Sequence, residues 1–182
     1  MRKFIDIQRE LDLVRFLESE HGDLYVPRAT DGPPIIVRQF QRTIPSRLVG
    51  TYARLLAACQ AWIEHDSALA ALVRIEQPVE VGEDFLSRAF ISATSLASFL
   101  SSDADDDPPE PPEELSTMQT RFRELASTAS TPHERTLTAI LARSLLEPTY
   151  KTVYSMREER FVVADLKPTV AELEELAALE RS

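Results

Sequence analysis

Residues 103–114 read DADDDPPEPPEE, with seven carboxylates, four prolines and no basic residue in twelve positions. Asp103, Asp105, Asp107 and Glu114 fall at positions 1, 3, 5 and 12, the spacing with which a twelve-residue loop wraps calcium. Position 6 of such a loop needs glycine for its sharp turn, and here it is Pro108, whose ring holds φ negative. The tract therefore reads as an extended, solvated connector, and no metal or cofactor is expected. Proline and crowded like charges also argue against helix or strand across it. Its carboxylates, Asp103, Asp105, Asp106, Asp107, Glu110, Glu113 and Glu114, form a candidate surface for another protein, one of basic character.

A second set is cationic. Tyr25 to Trp62 holds Arg28, Arg38, Arg42, Arg47 and Arg54 against the single carboxylate Asp31. Neutralised phosphates are what such a stretch would offer a nucleic acid, and in a chain of net charge −10 any contact must be local to it. Arg15 and His21, with five residues between them, match the Arg-x4-6-His spacing and so resemble HEPN-type ribonucleases. The resemblance implies a dimeric ribonuclease with both side chains on one helical face. His65 and His133 have no neighbours at metal-ligand spacing. Cys59 lies on an apolar helical face beside Trp62 and reads as an inert buried thiol. Four scattered glycines cannot build a phosphate loop or a dinucleotide fingerprint.

The elements that position these residues read as mainly helical. Phe4, Ile7, Leu11, Val14 and Leu17 recur at spacings of three and four, predicting a helix of about four turns that ends near Gly22. LYV at 24–26 and IIVRQF at 35–40 flank a turn rich in proline and glycine, which predicts a small hairpin or arm. A long helix follows Pro45, with Leu48, Tyr52, Leu55, Leu56, Cys59, Trp62 and Ile63 on its apolar side. Its pattern bends near Asp66 and resumes through Leu69, Leu72 and Val73. After the connection EQPVEVGED, Phe85, Leu86, Ala89, Phe90, Ala93, Leu96, Ala97 and Leu100 predict another helix.

Beyond the acidic tract, Leu115, Met118, Phe122 and Leu125 predict a helix to about Ser127. Thr131-Pro132-His133-Glu134 is a helix start with a capping box, and Thr169 with Glu172 is a second. TYKTVYSM and RFVVADL predict a hairpin between those two helices.

The resulting expectation is a predominantly α (α+β) protein of about six amphipathic helices and one or two short hairpins. It divides into residues 1–102, with a β-like arm at 24–40, the connector 103–114, and residues 115–182, with a hairpin at 149–166, all sharing one core. Glycine poverty supports the helical weighting, with four glycines against roughly 13 at average usage. The longest apolar run, residues 48–63, contains Arg54 and Gln60 and is shorter than the about 20 residues a bilayer span needs. A single cysteine and an N-terminus without a signal-like apolar core place the chain in the cytoplasm. Residues 1–102 carry 11 basic and 13 acidic groups and residues 103–182 carry 9 and 17, so the acidity is concentrated after the tract begins. With no reactive constellation in view, the function expected is a non-catalytic interaction module: a regulatory subunit, adaptor, inhibitor or small scaffold. The alternatives are an accessory subunit of a nucleic-acid-processing complex using the Arg28–Arg54 stretch, and the HEPN-like ribonuclease. Self-association is left open and no membrane contact is expected.

Overall fold

The computed structural model describes residues 1–18, 22–28, 34–40, 44–91, 93–100 and 109–179. In chain order its elements are α1 (Phe4–Glu10), β1 (Leu13–Leu17), β2 (Asp23–Pro27), β3 (Ile35–Gln39), α2 (Ser46–Glu64), α3 (Ser67–Leu72), β4 (Val73–Ile75), β5 (Glu80–Val81) and β6 (Phe85–Ala89). They continue with β7 (Thr94–Ser95), α4 (Leu96–Leu100), α5 (Glu114–Ala126), α6 (Pro132–Leu145), β8 (Thr152–Ser155), β9 (Arg160–Val163) and α7 (Val170–Leu179). Two compact units draw on discontinuous stretches of chain: Met1–Leu55, Gln77–Phe90 and Pro168–Ser182 form the first, Leu56–Glu76 and Ile91–Lys167 the second.

The first unit is built on a five-stranded antiparallel sheet in the order β1-β2-β3-β6-β5. The pleat sends alternate residues to opposite faces. On one face Phe4 and Ile7 of α1 bury against Leu13, Val37 and Phe85, with Leu11, Tyr25 and Ile35 at the margin. The other face carries Arg38, whose guanidinium carbon lies 5.8 Å from the centre of the Phe40 ring. Phe40 in turn meets Tyr52 of α2 edge-on at 5.4 Å. Gly22 leads into β2 with φ +110, and a Cβ placed there would stand 2.4 Å from the Gln39 carbonyl oxygen. Both the sign of φ and the closeness of that backbone require glycine.

The second unit holds a four-stranded mixed sheet, β4-β9-β8-β7, in which only β4 and β9 run parallel. Strand β8 is buried along its whole length and β9 from Phe161 onward, and Tyr154 packs on Phe161 across the β8–β9 pair at 5.0 Å. Helix α3 packs against α5, β4 and β9, and α5 against α6. Asp66 caps α3 by accepting from the Leu69 amide at 2.8 Å and also receives the guanidinium of Arg121 from α5.

The expectation of a predominantly helical protein is therefore corrected to α+β with two sheets. Three misread stretches account for the difference. The helix expected over Phe4–Leu17 stops at Glu10; Asp12 takes a positive φ of 45° and residues 13–17 become the edge strand β1. Phe85–Ala89, expected in a helix, is β6, and pairs with β3 along its whole length. Val73 leaves the helical pattern to open β4. In each case strand pairing with distant residues overrides a local spacing that fits a helix. Within the tract expected to exclude regular structure, Glu114 is the first residue of α5.

Candidate functional site

The first unit holds an open cleft of about 320 Å³ lined by Lys3, Phe4, Ile5, Gln8, Tyr25, Gln39 and Asp84. Four pieces of backbone meet to make it. The N-terminal segment is tied to the β5–β6 turn, where the Glu83 amide donates to the Arg2 carbonyl at 2.8 Å and Arg2 pairs with Glu80 at 3.3 Å. Asp84 locks the next residues: its Oδ1 accepts from the Phe4 amide at 2.7 Å, and its carbonyl accepts from the Phe40 amide at 2.9 Å. Tyr25 and Gln39 arrive through pairing, since Tyr25 lies opposite Val37 and Gln39 lies opposite Asp23 and Phe85. The Phe4 and Tyr25 rings sit 4.6 Å apart and form the apolar wall.

Three backbone donors at the start of α1 are already used, because the Lys3 amide donates to Asp6 at 3.1 Å, the Phe4 amide to Asp84, and the Asp6 amide to the Lys3 carbonyl. The side chains that line the cleft bring one ammonium, one carboxylate, two amides and a phenol. Burial pushes the Tyr25 phenol up, and Asp23 and Glu18 push the same way while Arg15 opposes them. The phenol is thus protonated at neutral pH and offers a donor.

The expected site residues fall elsewhere. Asp103, Asp105, Asp106 and Asp107 lie outside the described residues, as do Arg42 and His21. Glu110 and Glu113 are exposed, whereas Glu114 accepts a hydrogen bond from the Tyr154 phenol of β8, which is raised first by burial and then by that carboxylate. Arg38 is 2% exposed, so its charge is withdrawn from the surface; burial lowers its pKa, with Tyr52 opposing. Arg28 pairs with Asp12 at 3.1 Å, Arg47 with Glu174 of α7, and Arg54 donates to the Thr51 hydroxyl at 3.1 Å. Of these arginines Arg38 is buried, while Arg28 and Arg47 stay largely exposed beside their carboxylate partners. Arg15 stands on strand β1, paired with Glu18 at 3.4 Å and Asp23 at 3.8 Å, and not on the helix the ribonuclease resemblance implies. Cys59 is fully buried, and burial pushes its thiol up, which keeps it protonated and inert. Among the described residues no group of three His, Cys, Asp or Glu side chains is placed to hold a metal ion.

Fold and cleft together define an α+β protein of two sheet-and-helix units, one of them with a polar side-chain cleft on its sheet. No protein-family model matches the chain, and no curated protein matches it in sequence. Among solved structures it is similar to the apoenzyme of the macrolide 2'-phosphotransferase MphH from Brachybacterium faecium, with 11% identity and a TM-score of 0.41. The similarity covers 96% of this chain and 80% of that one. That neighbour is, by its name, a phosphotransferase, and the expected non-catalytic interaction module is not carried further. At this TM-score the likeness assigns no activity to this chain. No helix among the described residues is long and apolar enough to cross a membrane.

Proposed function

We propose that the first unit receives a small polar molecule in the cleft between α1, β2, β3 and the β5–β6 turn. The observation that carries the reading is the convergence of Lys3, Gln8, Tyr25, Gln39 and Asp84 around one opening of about 320 Å³. Pockets that hold small ligands start near this size and combine an apolar wall with a few placed polar groups. The volume equals about ten waters of the liquid, so a ligand of about ten to fifteen non-hydrogen atoms fits. At about 0.3 kcal/mol per atom such a ligand binds in the millimolar range. Lys3 and Asp84 favour a molecule carrying both a negative and a positive group, with the amides and the phenol fixing its orientation. A cytoplasmic setting belongs to the same proposal and is supported by a single, buried, protonated thiol.

The test is a two-dimensional NMR titration of the labelled chain with zwitterionic, anionic, cationic and neutral fragments of that size. The expected result is a set of shifts confined to Lys3, Gln8, Tyr25 and Gln39, largest with zwitterions. Tyr25→Phe removes only the hydroxyl, and Asp84→Asn keeps the acceptor for the Phe4 amide while removing the charge. Each should weaken binding about 2–10-fold, the value of one hydrogen bond, with the melting temperature unchanged in Tyr25→Phe and slightly lowered in Asp84→Asn, whose bond from the Phe4 amide loses its charge. Shifts centred elsewhere, or equal binding by both variants, would overturn the proposal.

A further inference from the structure

We draw no further inference here: the strongest candidate, the exposed apolar patch that Phe16, Leu17 and Phe90 form at the edge strand of the first sheet, carries nothing because nothing in the structure shows what covers it.

Discussion

The two sheets treat their polar groups in opposite ways. In the first, the face under α1 opens into a cleft whose ammonium, amides and phenol sit at a solvent boundary. In the second, β8 and residues 161–163 of β9 are buried, and the charges at their turn satisfy one another. Glu158, in the β8–β9 turn, accepts two bonds from Arg74 of β4 at 2.7 and 2.8 Å and further bonds from Arg160 at 2.9 and 3.0 Å. Arg74 also reaches Glu76. A carboxylate held by two guanidinium groups is committed to holding strands together. The difference separates polar groups wholly used in fastening the fold from polar groups that still face a space, and the latter are the ones open to a ligand; Asp84, which accepts from the Phe4 amide and also lines the cleft, does both.

The contrast is broken most forcefully from the closed side. Phe161 has no solvent exposure and packs tilted against Tyr154, so Phe161→Ala should cost about 3–5 kcal/mol through lost burial and a cavity. Chemical denaturation of the purified variant measures it. A loss under about 1 kcal/mol would mean that the second sheet is not the closed core described here.

On the open side the largest effect comes from backbone. Gly22→Ala should cost about 2–3 kcal/mol, because alanine resists positive φ and its Cβ would meet the Gln39 carbonyl oxygen at 2.4 Å. Since Gln39 lines the cleft, the same variant should also lose whatever fragment binding the wild type shows. A folded variant of unchanged stability would show that β2 enters the sheet by another path.

How much of this could be read in advance depended on how local each signal was. The capping box at Thr131 is present, with the Thr131 hydroxyl accepting from the Glu134 amide at 3.1 Å. Glu134 reaches back to the Thr131 and Ser130 amides, which hold its carboxyl down at about 2. The box at Thr169 and Glu172 forms in the same way. These motifs span four residues and need nothing else. Both expected hairpins are present too, as β2–β3 and β8–β9, but the sequence does not reveal the larger sheets they join. β6 was hidden because residues 85–88 are all buried, which erases the alternation that marks a strand. Leu13–Leu17 was hidden because Val14 and Leu17 continue the spacing of Phe4 and Ile7. Val14 and Phe16 were the only β-favouring residues there, too few to outweigh that spacing. The cleft left no trace in sequence. Gln39 and Asp84 approach through the β3–β6 pairing, and Lys3 through the bond from Phe4 to Asp84; such contacts belong to no motif.

A smaller effect probes the ion pairs of the second sheet through pH. The Arg74 and Arg160 guanidinium groups hold the Glu158 carboxyl at about 2, below its ordinary value. A carboxylate depressed in the folded state binds fewer protons there than in the unfolded chain. Its stabilisation is therefore complete above the unfolded value of about 4.3 and is lost as pH falls towards about 2. With the side chain about a third exposed, solvent screening reduces the contribution to about 1–2 kcal/mol at neutral pH. Glu158→Gln should lose that amount at pH 7, and the gap from wild type should close between pH 4.5 and 2, read from urea midpoints. A gap that stays constant over this range would mean the guanidinium contacts contribute packing and no charge.

The smallest effect decides whether the contrast has functional content. Gln8 lies on α1 at the cleft, and among the described residues none of the hydrogen bonds that fasten the first unit together uses its side chain. If the cleft groups are held in reserve for a ligand, Gln8→Ala should change stability by less than about 0.5 kcal/mol, as for surface positions that fasten nothing. Its effect should appear instead as a loss of fragment-induced shifts at Tyr25 and Gln39. A glutamine that fastens the fold gives the reverse pattern: a lower melting temperature with fragment shifts intact. The two readouts move in opposite directions under the two roles, so one variant places Gln8 either with the Glu158 kind of polar group or with the kind that faces a space.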